Sequence, residues 1–238
     1  MAGKVIIVGS GESSYINSSS FDEIYVSNVS FKRLSSTEKA RYVFSEALLY
    51  TEDDLTDAAP INGLSINESN RIRLEKYNQI DNLKAKIIYV VCNDSAKVKS
   101  ALKRKNIAYN SLEIVNNKKL WNLYTTTFNL KEIIIIFSKL PSIRLKLEFL
   151  IQYVLKRKMS VFYRPSTGIT SIMIALKEMP DLNIYSNGIN VSNQGVRTAF
   201  WGSDSVQYNT ESHGMDNLYY KFFKSKGLSN LKVGSNES

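Results

Sequence analysis

Apolar positions along the chain fall into short blocks separated by glycine, asparagine and serine, a rhythm that predicts alternating strands and helices. Lys4-Val-Ile-Ile-Val8 is an apolar run bounded by Gly3 and Gly9. It has the form of a strand buried on both faces and feeding a tight turn. Glu23-Ile-Tyr-Val-Ser27, closed by Asn28, predicts a second strand, and Tyr42-Val-Phe44 a third. Residues 51–70 are acidic, then polar, and contain Pro60 and Gly63, which predicts an irregular excursion. Lys86 to Val91 is a stronger strand. The basic run Lys97 to Lys105 predicts a helix with Val98, Ala101 and Leu102 inward, and Ala108 to Val115 a further strand. This repeated strand–turn–helix order predicts an α/β domain on a parallel sheet.

In the second half, Glu132 to Phe137 is β-branched and predicts an extended segment. From Ser142 to Lys158 the pattern changes. Ile143, Leu147, Leu150 and Val154 recur at helical spacing, with Phe149 and Tyr153 flanking them. That predicts an amphipathic helix packing its Ile143–Val154 face on the core. Val161 to Tyr163 predicts a short extended piece, and Arg164-Pro-Ser-Thr-Gly168 a turn, since Pro165 disfavours helix at Arg164. Ile169 to Met179 predicts a helix with Ile172, Ala175, Leu176 and Met179 on one face, ended by Pro180. Asn183 to Tyr185 is the next strand, followed by Ser186-Asn187-Gly188. From Ser212 a capped helix is predicted with Met215, Leu218, Tyr219 and Phe222 inward, and fraying from Gly227. Residues 1–230 are thus expected to form one domain and 231–238 a flexible tail.

Composition narrows the chemistry. A chain of 238 residues buries enough surface to hold a core without cross-links. The single cysteine, Cys92, excludes an intramolecular disulfide and cysteine-rich metal modules, and the single histidine, His213, excludes histidine metal cages. Lys and Arg number 31 against 22 Asp and Glu, a net charge of +9 that favours anionic partners. Arg144 to Arg164 alone holds six basic residues and one acid, a charge fit for a membrane face or an acidic acceptor. The longest apolar run, Ile133 to Phe137, is too short to span a bilayer, and no signal peptide is predicted. The expected location is the cytoplasm, with a peripheral position at the inner membrane left open.

Three places offer chemistry. The turn Gly9-Ser10-Gly11 stands where a nucleotide loop stands, after a first strand, but lacks the spacing of the dinucleotide and P-loop motifs. A plain tight turn is the other reading. Ser166-Thr167-Gly168 sets two hydroxyls and a glycine at a helix start, where first-turn amides suit an anion and where ordinary capping also fits. His213, beside Glu211, Ser212 and Asp216, is the one side chain whose unperturbed pKa lies near neutrality.

These blocks resemble a known family. Arg164-Pro-Ser-Thr-Gly-Ile-Thr-Ser-Ile-Met-Ile-Ala-Leu176, through Leu182-Asn-Ile-Tyr-Ser-Asn-Gly-Ile189, resembles the small sialyl motif of animal sialyltransferases. Val5 to Gly11 with Asn28, and Ser212-His213, are similar to the nucleotide-binding start and the Ser-His of bacterial sialyltransferases of glycosyltransferase family 42. The resemblance implies a Rossmann-like, mostly parallel sheet flanked by helices, a GT-A-like variant with a smaller lid-like excursion. It implies transfer of sialic acid from cytidine monophosphate (CMP)–sialic acid to a glycan hydroxyl, with inversion and without metal or other cofactor. His213 would be the general base. Gly9, Ser10, Gly11 and Asn28 would line the CMP site. Ser166, Thr167 and Gly168 would contact donor carboxylate, ribose or phosphate, and Gly188 would admit the cytosine. The implied acceptor is a bacterial surface glycan, as in lipopolysaccharide or capsule biosynthesis, with peripheral contact to an anionic membrane and no nucleic acid partner.

The chain departs from the family at several positions. Ser10 and Glu12 replace an Asn and a Pro, and Phe44-Ser45-Glu46 replaces a segment with a donor-binding Asn. Ser192 and Thr198, with Arg197 beside the latter, stand near two phosphate-holding tyrosines. Leu218 replaces an acid of the animal enzymes. Two alternatives follow. One is another CMP-activated ulosonic acid donor, such as the 3-deoxy-octulosonic acid Kdo. The other is a non-catalytic nucleotide- or nucleic-acid-binding protein, which the +9 charge and 14 tyrosines permit.

Overall fold

A computed structural model describes residues 3–9, 15–28, 30, 34–37, 40–45, 65–160, 162–189, 196–201, 204–209 and 214–230. In chain order the elements are β1 (Lys4–Val8), a 3-10 turn (Ser18–Ser20), β2 (Glu23–Ser27), β3 (Ala40–Ser45), α1 (Ile66–Gln79), β4 (Lys84–Val91), α2 (Ser95–Arg104), β5 (Ala108–Ile114), α3 (Asn117–Thr127), α4 (Leu130–Ser138), α5 (Ile143–Leu155), α6 (Thr167–Glu178), β6 (Asn183–Asn187), β7 (Val196–Trp201), β8 (Asp204–Asn209), α7 (Asp216–Ser225) and β9 (Ser229–Asn230).

Seven strands form one sheet in the order β5-β4-β3-β2-β1-β6-β9, and every neighbouring pair is parallel. The α/β class with a parallel, Rossmann-like sheet is therefore as the strand–turn–helix rhythm predicts. Strand alternation splits the core in two. Val5, Ile7, Tyr25, Val43, Tyr89 and Val91 face one layer, which includes Trp121, Phe149, Ile172 and Tyr219. Ile6, Val8, Ile24, Val26, Tyr42, Phe44, Ile88 and Val90 face the other, which includes Ile80, Val98, Ala101 and Leu102. Strands sandwiched this way are apolar on both faces, which is why β1 carries no alternation. β7 and β8 pair antiparallel in a separate two-stranded sheet.

Several local expectations are corrected. Residues 132–137 are helical, within α4, not extended. Asn129 and Glu132 form a reciprocal capping box, each side chain bonding the other's backbone amide at 2.9 and 2.8 Å. Those caps and the one-sided burial of Ile133 and Ile136 outweigh β-branched propensity. The polar excursion ends earlier than predicted. Ser65 caps α1 with Glu68, so residues 66–70 are helical, while residues 51–64 lie outside the described residues. Residues 162–163 form a turn, not an extended piece. Gly227 does not begin a frayed end, because Ser229 and Asn230 pair with Tyr185 and Ser186. Residues 231–238 lie outside the described residues.

The largest correction is in α5. The helix forms, but its buried face is the opposite one. Phe149 is its buried residue, and Ile143, Leu147, Leu150 and Val154 are exposed. Phe149 packs against Trp121, Tyr124, Phe137, Tyr153 and Tyr163, with ring centroids 5.2–6.4 Å apart. An aromatic cluster buries more area than an aliphatic stripe, so it decided the orientation. In α7 the inward face is likewise turned by one position. Tyr219, Tyr220 and Phe223 are buried, whereas Leu218 and Phe222 are only partly so.

Candidate functional site

The sheet order reverses at β1. From β1 the chain goes to β2 on one side, and it returns after α6 to place β6 on the other. Parallel sheets bind ligands at such a reversal, beyond the carboxyl ends of the strands, because adjacent connections diverge there and leave a crevice. Here Val8 is in register with Asn187, and Gly9 donates its amide to the Asn187 carbonyl at 2.8 Å. Gly9 and Gly188 thus leave the sheet side by side.

The start of α6 joins them. A Cβ on Gly9 would collide with the Gly188 carbonyl and lie 2.6 Å from Ile189 Cδ1. A Cβ on Gly168 would lie 3.1 Å from the same methyl. Gly9, Gly168 and Gly188 therefore converge on Ile189. Gly188 itself has a φ of +68°, the left-handed region that favours glycine. The immediate reason for Gly9 is close backbone packing. What faces outward is the partly exposed rim of Ser166, Thr167, Gly168, Gly188 and Ile189.

Local bonds fix that rim. Ser166 caps α6, its Oγ accepting the Ile169 amide at 3.4 Å. Ser171 Oγ donates to the Thr167 carbonyl at 2.8 Å and lies 2.8 Å from Ser27 Oγ, tying the helix start to the end of β2. The amides of Thr167 and Gly168 have no partner within the helix, by helix geometry. Asp216, the first residue of α7 and fully buried, accepts the Ser166 amide through Oδ1 at 3.1 Å.

Helix α7 is pinned against the start of α6 and against β6. Tyr219 donates its hydroxyl to the Tyr163 carbonyl at 2.6 Å and lies 3.3 Å from the Tyr124 hydroxyl. Burial, and then the neighbouring Tyr124 and Asp216, push the Tyr219 phenol well above its ordinary value, so it stays a neutral donor. Tyr220 and Ser186 share a 2.8 Å hydroxyl contact that ties α7 to β6. Just upstream, Gly214 packs against Phe162, whose ring atoms stand 2.7 and 2.8 Å from where a Cβ would be.

Gly9, Ser166, Thr167, Gly168 and Gly188 are brought together. Asn28 stands one strand away, with a φ of +56°. It donates its amide to the Val43 carbonyl at 2.9 Å, and its Oδ1 accepts the Ser45 amide at 3.2 Å, so it clamps β2 to β3. Arg197 and Thr198 lie in β7, in register with Tyr208 and Gln207 of β8. Ser10, Gly11, Ser192 and His213 lie outside the described residues. Asp216, which the sequence offers only as a neighbour of His213, and Ile189, which it offers only as the end of the resembling block, also belong to this cluster. An acid at the start of a helix is common for dipole reasons alone, and an isoleucine after a glycine is unremarked.

Compared with models of protein families, with curated proteins and with solved structures, the chain matches none. Among the described residues, no group of three or more His, Cys, Asp or Glu side chains could hold a metal ion, and no helix is long and apolar enough to cross a membrane.

Proposed function

We propose that this crevice binds a cytidine monophosphate–linked sugar and that the chain is a glycosyltransferase moving sialic acid from CMP-sialic acid to a glycan hydroxyl. The observation that carries the reading is the convergence of Gly9, Gly168 and Gly188 on Ile189 where the sheet order reverses. Gly9, Gly188 and the start of α6 meet there, and the first-turn amides of Thr167 and Gly168 have no partner within the helix, an arrangement suited to a nucleotide phosphate. The fold would then be the GT-A-like variant found in sialyltransferases, with β7 and β8 in the place of a lid-like excursion.

The chemistry follows from the residues. The acceptor oxygen forms a bond to the anomeric carbon as the bond from that carbon to the phosphate oxygen breaks. His213, next in the chain to Gly214, takes the acceptor proton as general base. The leaving phosphate gathers charge, which the amides of Thr167 and Gly168 and the Thr167 hydroxyl would receive. Asp216 already occupies the Ser166 amide and places a negative charge nearby. The phosphate therefore needs a cation as well, and Arg197 is the residue proposed to supply it. Ser10, Gly11 and Ser192 would complete the donor contacts. Asn28 has its Oδ1 committed to Ser45, so its proposed contact with the nucleotide is a donation from Nδ2.

Titration calorimetry with CMP, UMP, AMP and GMP tests the nucleotide, and release of CMP from a panel of CMP-linked sugars tests the donor. Saturable binding that favours CMP by tenfold or more, with sialic acid the preferred donor sugar, is the expected result. Equal affinity for all four nucleotides, or none for any, would overturn the reading. Preference for a CMP-linked Kdo donor would keep the class and change the sugar.

A further inference from the structure

The inverted helix α5 leaves an apolar surface with no described partner. Ile143, Leu147, Leu150, Ile151, Val154 and Leu155 are 49–79% exposed. At 3.6 residues per turn they lie within an arc of about 140° on one side of the helix, opposite the buried Phe149. The rows Ile143–Leu147–Ile151 and Arg144–Glu148–Gln152 border an open groove along it. Helix α4, which contacts α5, exposes Leu130 and Ile134 as well. Single exposed aliphatic side chains are ordinary on a protein surface, but six on one helical face are not.

Charge identifies what covers this face. From Arg144 to Lys158 the chain carries Arg144, Lys146, Lys156, Arg157 and Lys158 against the single acid Glu148. Arg144, Arg157 and Lys158 are exposed, as are Lys131 and Lys139 on and just after α4. An aliphatic stripe edged by cations matches a bilayer with anionic headgroups, where the side chains enter the acyl boundary and the cations meet the lipid phosphates. A second copy of the chain fits poorly. Pairing the same patch across a two-fold axis would bring like charges together. At about 1.5 Å per residue the 13-residue helix is about 20 Å long, too short to span a bilayer and suited to lie in its surface.

We infer that α5 is an interfacial helix that docks this protein on an anionic membrane surface through Ile143, Leu147, Leu150, Ile151, Val154 and Leu155. The inference is independent of the nucleotide reading.

Sedimentation of the full chain with vesicles tests it, using phosphatidylcholine alone and phosphatidylcholine mixed with phosphatidylserine. The mixed vesicles should bind at least tenfold more tightly, and the binding should weaken as salt rises. The double variant Leu147→Glu, Val154→Glu should lose tenfold or more of that binding while keeping its circular dichroism and melting temperature, because both positions are exposed. Arg157→Ser with Lys158→Ser should lose about fivefold per charge removed. Equal failure to bind both vesicles, or undiminished binding by the folded Glu double variant, would overturn the inference. So would a dimer by analytical ultracentrifugation that the Glu double variant makes monomeric, since the occupant would then be a second copy.

Discussion

Ser166 donates its backbone N–H to Asp216 Oδ1 across 3.1 Å, so the first residue of α7 caps the residue that itself caps α6. The bond joins two helices far apart in sequence, and the Asp216 carboxylate is almost wholly out of solvent. Asp216→Ala strands a part-buried amide and should cost about 1–2 kcal/mol, or about 2–8 °C of melting temperature. Asp216→Asn keeps an acceptor oxygen and should cost less. It also removes a negative charge from beside the Thr167 and Gly168 amides. If a nucleotide phosphate sits on those amides, Asp216→Asn should bind CMP about two- to fivefold more tightly, the size of a charge effect at a helix start. Unchanged melting with weaker CMP binding would place the phosphate elsewhere.

Gly9 and Gly168 meet the same methyl group, but substitution should separate their roles. Alanine at Gly9 drives its Cβ into the backbone of Gly188, with the carbonyl carbon 2.8 Å away, where the turns after β1 and β6 cannot part without breaking the Gly9–Asn187 bond. The expected cost is about 1–3 kcal/mol, read from urea unfolding. Alanine at Gly168 meets only the Ile189 Cδ1 methyl, which can rotate, and gains helix propensity of up to about 1 kcal/mol. Gly168→Ala should therefore keep or raise stability while weakening CMP binding, because its Cβ narrows the approach to the first-turn amides. A Gly168→Ala protein with unaltered CMP affinity would count against the amides as the phosphate site.

The β1 run and the Val98–Ala101–Leu102 face of α2 were legible because a buried strand and an amphipathic helix each leave a periodic pattern. The convergence of Gly9 with Gly168 was readable only as an expectation of the resemblance, since 159 residues separate them along the chain and no local pattern encodes the meeting. Helix α5 was misread in orientation because periodicity reports that one face is apolar, not which of two apolar faces finds the core. With Leu145, Phe149 and Tyr153 on one side and Ile143, Leu147 and Val154 on the other, packing against Trp121 and Tyr163 decided it. Helix α4 was misread because Ile133 to Ile136 is equally consistent with a buried strand, and the Asn129–Glu132 box was the deciding local signal.

At the opposite end of α6 from the crevice, Arg41 holds a part-buried charge network. Its Nε donates to Glu23 at 2.9 Å, and its guanidinium reaches Glu178 at 3.2 Å. Tyr25 and Tyr89 donate to the same Glu178 carboxylate at 2.8 and 2.7 Å. Lys86 adds a 2.7 Å pair to Glu23. Burial alone would raise the Glu23 pKa, but the hydrogen bonds and charges of Arg41 and Lys86 outweigh it and hold the carboxyl below its ordinary value. The unfolded chain therefore binds the proton first as pH falls. The stabilisation is complete above about pH 4.5 and is lost as pH drops through the lower folded value. Glu23→Gln should flatten that acid limb in unfolding midpoints measured from pH 3 to 7. Arg41→Met should cost about 2–3 kcal/mol at neutral pH, less than a fully buried pair because Glu178 reaches solvent. An acid limb as steep in Glu23→Gln as in the wild type would assign the acid loss to other carboxylates.

His213 carries the chemical half of the proposed function, and its variant separates chemistry from binding. The next residue, Gly214, is packed against Phe162, and Asp216 is bonded to Ser166, so the chain that follows the histidine is tied at two points to the segment that opens α6. Removing an imidazole from such a segment leaves both ties in place. His213→Ala should therefore melt like the wild type and bind CMP within about twofold, while turnover falls about 100- to 10,000-fold, the range for loss of a general base. The wild-type rate should also fall in acid, because only the neutral ring accepts a proton. Donor hydrolysis without acceptor offers a control. It needs no acceptor proton removed from a sugar hydroxyl, so its dependence on His213 should be weaker than that of transfer. A folded His213→Ala protein that transfers sugar at the wild-type rate would remove the histidine from the mechanism, and unaltered CMP binding in the same protein would show that the crevice itself stands.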